Sequence, residues 1–222
     1  EMRPGGFEPF TSKSVRDVNA VIAHRAHIGD TTKLEVIDAA GNMVSVTPSG
    51  GWLPSSPVVE GLGFPLGTRG QMFSLVEGQP NSLEPGKRPR TTLTPSVATL
   101  RGRPWMSFGS PGGDAQDQWA LQFLLNVVEF GMSLQEAVEA PTFWSEHWPS
   151  SFYPRAALTG MLFVESRIPA AVRKELKKRG HRVKPLGAWS GGNTLAAMID
   201  PKTLVRAAAA SPRLDPATAG GL

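Results

Sequence analysis

The stretch that decides the fold is Gly29-Asp30-Thr31-Thr32-Lys33, which runs directly into the strand-like segment Leu34-Glu35-Val36-Ile37-Asp38. Threonine is a weak nucleophile at neutral pH and needs a nearby proton acceptor. An N-terminal threonine carries that acceptor on its own residue, because an α-amino group titrates at about 7.7–8.0. Two interpretations follow. Either the Thr31 hydroxyl attacks the Asp30 carbonyl and frees Thr31 as an N-terminal nucleophile, or Thr31 merely opens a strand.

The composition is typical of a soluble globular protein and is sufficient for one domain. The chain has 222 residues, of which 40% are hydrophobic and 19% charged. It begins at Glu1, so we expect a processed product or a piece of a longer chain. No apolar run approaches the roughly 18–20 residues that a membrane-spanning helix needs. Periplasmic, secreted and cytoplasmic locations all stay open.

Cysteine is absent, which excludes disulfides, thiol catalysis and thiolate metal sites. No metal cluster or cofactor loop is visible, so we expect neither a metal nor a cofactor. The formal net charge is +4, and much of the excess flanks a short helical pattern from Pro169 to Arg179. A solvated helix face is the preferred interpretation of that pattern. Nucleic-acid binding would call for interleaved aromatic residues, which the pattern lacks.

Strand and helix patterns along the chain predict an α+β protein. Two hairpins are predicted, Leu34–Asp38 with Met43–Thr47 and Ser96–Leu100 with Trp105–Phe108. A helix should follow Asp114 and end at Gly131, and a second helix should begin at a Ser133 capping box and stop before Pro141. The remaining predicted strands are Met161–Glu165, His181–Lys184, Thr194–Ile199 and Val205–Ala210.

Consecutive apolar residues add a prediction about burial. They occur at Val36-Ile37 and again over residues 194–198, which is typical of sheets covered on both faces. The irregular segment 48–95 also carries apolar residues, which should pack onto something. They are Trp52, Leu62, Phe64, Leu66, Met72 and Phe73.

The glycine pair Gly112-Gly113 precedes the long predicted helix. The first N–H groups of a helix lack internal partners, and glycine lets a ligand approach the backbone closely. Two such N–H groups can hold an oxyanion, although a tight strand-to-helix turn needs glycine as well. Ser49 and the pair Thr91-Thr92 are hydroxyls that could relay a proton, or could simply be turn residues.

Four collinear stretches together resemble the small, catalytic subunit of the γ-glutamyltranspeptidases, which are N-terminal-nucleophile hydrolases. The stretches are Thr31-Thr32 leading to residues 38–47, residues 85–95, Gly109-Ser110-Pro111-Gly112-Gly113, and Ala209-Ala210-Ser211-Pro212-Arg213. The resemblance implies a zymogen that cleaves itself between Asp30 and Thr31. It also implies an αββα four-layer sandwich completed by an upstream large subunit from the same precursor. Residues 1–30 would then be the tail of the large-subunit region, and residues 31–222 the catalytic domain.

The resemblance also implies roles for individual residues. Thr31 would be the nucleophile, and Ser49 would take the place of a supporting threonine. The backbone N–H groups of Gly112 and Gly113 would form the oxyanion hole. Thr91 and Thr92 would stand where the family has a serine pair that holds the glutamyl carboxylate.

Departures from the family pattern fall on the substrate side. Gln71 stands where the family has an aspartate that binds the substrate's α-amino group, and a neutral amide cannot make that charge-assisted bond. Nearby Arg69 would repel an ammonium group and attract an anion. Gly51 replaces an asparagine, and Lys33 replaces the usual histidine. A glutaryl-type acyl group, as in cephalosporin acylases of this family, therefore fits better than glutathione.

Two functional hypotheses stand. The first is an amide hydrolase or acyltransferase that forms an acyl-enzyme on Thr31, with a γ-glutamyl or glutaryl-type amide as substrate. The second is a member that keeps the fold, has lost turnover and acts as a binding or structural subunit. The altered ligand positions motivate the second.

Overall fold

A β-hairpin follows Thr31 directly in the computed structural model, which describes residues 31–50, 56–152, 155–213 and 217–221. Strand β1 (Leu34–Ile37) pairs antiparallel with β2 (Met43–Val46), so that Leu34 faces Val46 and Val36 faces Val44 across the strands. The turn between them is closed by Asp38, which accepts a hydrogen bond from the Asn42 backbone at 2.9 Å. The first predicted hairpin is confirmed.

Seven further strands and three α-helices follow within the described residues. In chain order they are β3 (Ser96–Leu100), β4 (Arg103–Gly109), α1 (Gln116–Val128), α2 (Leu134–Glu139), β5 (Phe143–Ser145), β6 (Met161–Glu165), α3 (Ala170–Lys178), β7 (Arg182–Leu186), β8 (Leu195–Ile199) and β9 (Arg206–Ala210). Short 3-10 helices span Arg69–Met72 and Gly113–Ala115. The predicted α+β mixture is confirmed.

A four-stranded antiparallel sheet in the order β3-β4-β8-β9 carries the main core. Helices α1 and α2 pack against it, and the rings of Phe108 and Phe123 lie 5.4 Å apart between sheet and helix. Helix α2 begins with the predicted capping box, because Ser133 and Glu136 each accept a hydrogen bond from the other's backbone N–H. The sheet and α1 meet at the turn 109–113, so this core holds the glycine pair in place.

The second sheet has three strands in the order β5-β6-β7. Strands β6 and β7 are parallel and are joined by the basic helix α3, whereas β5 pairs antiparallel with β6. The sequence patterns missed β5, whose three residues are too few to show an alternation. Its Trp144 nevertheless stacks on Phe163, with ring centroids 5.2 Å apart.

The final family-like stretch has a structural role. The buried Arg213 guanidinium donates to Glu165 Oε1 at 2.6 Å and to the carbonyls of Val138 and Ala140 at 2.6 Å each. Burial by itself would raise the pKa of Glu165, but hydrogen bonds and charge from Arg213 and Arg167 lower it. This network ties the chain after β9 to α2 and β6.

The prediction that β1 is covered on both faces is wrong for the described chain. One face of the β1–β2 hairpin points inward, whereas the other exposes Leu34, Val36, Val44 and Val46. Leu62, Phe64 and Leu66 are exposed too, while Met72 is fully buried as expected. Among the described residues, the outer face of the β1–β2 hairpin is therefore an open apolar surface.

Candidate active site

Thr31 lies beside Ser49 at the mouth of the hairpin. Their Oγ atoms are 2.7 Å apart and hydrogen-bonded. The backbone brings them together, since the Thr32 N–H donates to the Pro48 carbonyl at 3.0 Å and extends the β1–β2 pairing by one step. The two hydroxyls that the sequence analysis assigned to nucleophile and support are thus in direct contact.

The glycine pair forms a strained turn at the start of α1. Gly112 has φ 136° and ψ 33°, and Gly113 has φ 57°, so both occupy conformations that favour glycine. A side chain at Gly112 would overlap the ring of Trp119, whose Cε3 and Cη2 atoms would lie 3.1 Å from the added carbon. Trp119 therefore fits directly against the Gly112 backbone and leaves only glycine room there.

A chain of contacts joins this turn to Thr31 and Ser49. A carbon added at Gly113 would lie 3.4 Å from Phe152, and the Arg69 guanidinium sits 5.9 Å from the centroid of the same ring. Arg69 in turn borders Gly50, where an added carbon would lie 3.4 Å from Arg69 Nε. Because Gly50 follows Ser49, these contacts link the Ser49 segment through Arg69 and Phe152 to the glycine turn.

Asp114 fixes the loop that presents Phe152. Its carboxylate accepts hydrogen bonds from the Ser150 hydroxyl at 3.0 Å, from the Ser151 N–H at 2.8 Å and from the Ser151 hydroxyl. Asp114 directly follows Gly113, so the loop is anchored at the first turn after the glycine pair. From the sequence, Asp114 was predicted only to mark the start of a helix.

The backbone of Thr92 is connected to the segment before the glycine turn through Gln116. The Gln116 side chain is fully buried, and its amide nitrogen, oriented to satisfy its neighbours, donates to the Thr92 carbonyl at 3.2 Å and to the Ser110 carbonyl at 3.0 Å. The Thr91 hydroxyl accepts from the Leu93 N–H at 3.0 Å. Gln116 was not predicted, because its position in the sequence pattern does not distinguish it from a surface residue of α1.

The structure separates the two residues that were expected to select the substrate. Arg69 is half-buried beside Gly50, whereas Gln71 is exposed in the same 3-10 helix. The predictions for Gly51 and Asp30 concern residues outside the described ranges.

A buried ion pair lies two to four residues after Thr31. Lys33 Nζ and Glu35 Oε1 are 2.6 Å apart, with side chains 0% and 2% exposed. Burial lowers the pKa of Lys33 and raises the pKa of Glu35, while their mutual hydrogen bond and charges act in the opposite direction on each. The sequence analysis noted Lys33 only as a departure from the family pattern.

Metal-binding clusters and membrane-spanning helices are both absent from the described ranges. No group of three or more His, Asp or Glu side chains there is arranged to hold a metal ion. Likewise, none of the helices in that part of the chain has the length and apolarity to cross a bilayer.

The hydrogen bond between the Ser49 and Thr31 hydroxyls gives a first prediction. Ser49→Ala should lower kcat about ten-fold, because a hydrogen bond to the reacting hydroxyl contributes roughly 1 kcal/mol or somewhat more. Ser49→Thr keeps the hydroxyl and should retain most of the rate. Steady-state kinetics on an acyl p-nitroanilide measures both, and equal rates for the alanine and threonine variants would contradict the assigned role.

Comparison with known proteins gives consistent matches. The family model described as gamma-glutamyltranspeptidase matches residues 8–221. The acylase ACY 1 proenzyme of Pseudomonas sp. (strain SE83) is 36% identical over 180 residues, covering 81% of this chain and 30% of that protein. The glutathione hydrolase-like YwrD proenzyme of Bacillus subtilis (strain 168) is 32% identical over 206 residues, covering 90% of this chain and 38% of that protein.

A solved structure also matches. The structure of LmbA2991T421A superposes with a TM-score of 0.77 at 53% identity, covering 83% of this chain and 33% of that one. The predicted αββα class is confirmed by the family and structural matches together. The chain spans only about a third of the length of these relatives.

Proposed function

The chain belongs to the γ-glutamyltranspeptidase family, and we propose that it is the catalytic part of an amide hydrolase or acyltransferase whose nucleophile is Thr31. The observation that carries this proposal is the Thr31–Ser49 hydrogen bond of 2.7 Å at the start of β1. This contact supports the proposal because a threonine nucleophile needs a group that assists its hydroxyl, and Thr31 lies just ahead of strand β1.

Activation begins inside the precursor. The Thr31 hydroxyl attacks the Asp30 carbonyl, and the C–N bond breaks to give an ester on Thr31 Oγ and a free α-amino group. Water then hydrolyses that ester and leaves Asp30 as a new carboxyl terminus. The names of the relatives as proenzymes support this step.

Turnover repeats the same chemistry on a substrate amide. Thr31 Oγ bonds to the substrate carbonyl carbon, its proton passes to the Thr31 amine, and that amine hands the proton to the leaving nitrogen. Water or an acceptor amine then attacks the ester and restores the threonine. The N–H groups of Gly112 and Gly113 are the donors we assign to the oxyanion, because the first N–H groups of a helix lack internal partners and glycine lets a ligand approach the backbone closely.

We assign the acyl group to the anionic class. Arg69 lies next to Gly50 and Phe152, and its guanidinium would attract a carboxylate and repel an ammonium group. Gln116 ties the Thr92 carbonyl to the Ser110 carbonyl, just before the same turn. A glutaryl-type amide therefore fits better than a γ-glutamyl amide, whose α-amino group would face Arg69.

The partner we propose is a large subunit cut from the same precursor. The relatives are about three times as long as the matching region, which leaves room for such a subunit. The exposed apolar face of Leu34, Val36, Val44 and Val46 is the surface we assign to it. The β1 pattern, apolar at consecutive positions, is also that of a strand covered on both faces.

Mass spectrometry of a freshly expressed full-length precursor tests the activation step. We expect a species that begins at Thr31, followed by release of p-nitroaniline from an acyl p-nitroanilide. A precursor that stays uncut would contradict the proposal. A cut protein that releases nothing from γ-glutamyl, glutaryl and neutral acyl p-nitroanilides would favour the alternative of an inactive binding subunit.

Arg69 gives the prediction that tests the substrate class. Arg69→Leu should raise KM for glutaryl p-nitroanilide about 10- to 100-fold, because a hydrogen bond to a charged group contributes roughly 1.5–3 kcal/mol. Valeryl p-nitroanilide has the same chain length without the carboxylate, so its kinetics should hardly change. Arg69→Lys serves as the charge-preserving control, and an equal loss for both substrates would exclude Arg69 as the carboxylate partner.

A further inference from the structure

Lys33 turns its ammonium group into the interior two residues after the nucleophile. Besides its 2.6 Å ion pair with Glu35, Nζ donates to the Ser45 hydroxyl at 2.7 Å and approaches the Val46 carbonyl at 3.4 Å. Taking two charges out of water is costly, and an apolar pair of similar volume is often at least as stable. Stability alone therefore does not account for the pair.

The hydrogen bonds of this pair extend from the hairpin to the central sheet. The Ser45 hydroxyl accepts from the Ser96 N–H at 3.0 Å, and it lies 3.1 Å from Glu35 Oε1 and 3.5 Å from the Phe108 carbonyl. Ser96 opens β3 and Phe108 lies near the end of β4. The pair thus joins the strand that carries Thr31 to the strand that leads into the glycine turn.

Gly109 provides the space that this connection needs. A carbon added there would collide with Lys33 Cε, and it would lie 3.1 Å from Nζ and 3.0 Å from the Thr94 carbonyl. Lys33 would therefore have to shift, and its ammonium group would shift with it. Gly109 is the last residue of β4 and stands three residues before Gly112.

We propose that Lys33 and Glu35 are positioning residues that fix Thr31 relative to the Gly112–Gly113 turn and thereby set the rate of the chemical step. This inference rests on the proposed function. One residue, Lys33, has its backbone next to the nucleophile segment and its side chain against Gly109. The directional bonds to Glu35 and Ser45 hold that geometry, whereas apolar side chains of the same size would leave it free to drift.

The double variant Lys33→Met with Glu35→Leu separates positioning from stability. It buries no lone charge, so its melting temperature should stay near that of the wild type. We expect kcat to fall at least five-fold with KM within two-fold of the wild-type value. A stable double variant whose kcat falls less than five-fold would overturn the proposal, and so would a change confined to KM.

The single variants show whether the two charges depend on each other. In Lys33→Met, burial raises the pKa of Glu35 with no opposing cation from Lys33. Stability should then be highest at low pH and fall as pH rises through that pKa. In Glu35→Leu the pKa of Lys33 is lowered, and stability should be highest at high pH and fall as pH drops through that pKa. If the stability of both single variants changed with pH in the same direction, the proposed pairing of Lys33 with Glu35 would be overturned.

Gly109→Ala tests the same connection without removing a charge, and it serves if the double variant fails to fold. It should lower kcat at least five-fold by displacing Lys33, whereas Gly187→Ala, whose added carbon meets only Ser190 Oγ at 3.4 Å, should not. Equal rates for the two glycine variants would overturn the proposal. Wild-type turnover is measured first, because its absence would refute the proposed function, whereas turnover that survives these changes would refute only the positioning role.

Discussion

Replacing Thr31 with alanine is expected to leave the precursor uncut and to abolish turnover. The substitution removes the only oxygen that the proposed mechanism uses as nucleophile, both for the Asp30 carbonyl and for the substrate. Loss of a nucleophile of this kind lowers kcat by about 10⁴-fold or more. Mass spectrometry should show a single full-length species, and release of p-nitroaniline should drop below detection.

The neighbouring threonine offers a matched control. Thr32 contributes its backbone N–H to the Pro48 carbonyl at 3.0 Å, and Thr32→Ala keeps that bond. We therefore expect Thr32→Ala to be cut before Thr31 and to remain active, while Thr31→Ser should process and turn over more slowly. Cleavage at the same bond in Thr31→Ala would show that another group starts the reaction.

The parts of the fold that the sequence predicted are those set by local chemistry. The hairpin at 34–46 depends on a Gly-Asn turn, and α2 depends on the reciprocal bonds of Ser133 and Glu136. In both cases the residues that determine the structure lie only a few positions apart in the sequence. Strand β5 has no such signal, because Phe143–Ser145 is held by Gln122 and Gln118 from α1, more than twenty residues earlier.

The residues of the candidate site likewise fall into those that local sequence predicts and those that it does not. Thr31 and Ser49 are hydrogen-bonded because the hairpin register places them together, and their roles as nucleophile and support stay a prediction. The burial of Lys33 could not be predicted, because an isolated lysine in a strand normally extends to solvent. Its position depends on Gly109 and Ser96, both more than 60 residues away in sequence. Phe152 and Gln116 were missed for the same reason.

Gly112→Ala should give the second-largest fall in kcat, because it displaces the turn that is proposed to bind the oxyanion. Alanine keeps the backbone N–H, but it disfavours φ 136°, and its methyl group would overlap the Trp119 ring. Trp119 cannot move aside easily, because it is buried and its ring meets that of Trp144 edge-on at 5.3 Å. The turn must therefore shift, and loss of one oxyanion donor lowers kcat by about 10²–10³-fold.

Gly113→Ala is the matched control, since the two glycines are adjacent but differ in surroundings. Gly113 has φ 57°, a left-handed conformation that costs an L-residue about 1–2 kcal/mol, and its added carbon would only touch Phe152 at 3.4 Å. Its kcat should fall about ten-fold or less. Comparing kcat with the melting temperature for both variants separates a displaced turn from a damaged fold. A folded Gly112→Ala protein with wild-type kcat would exclude this turn as the oxyanion hole, because the predicted shift would then have no effect on the step it is meant to stabilise.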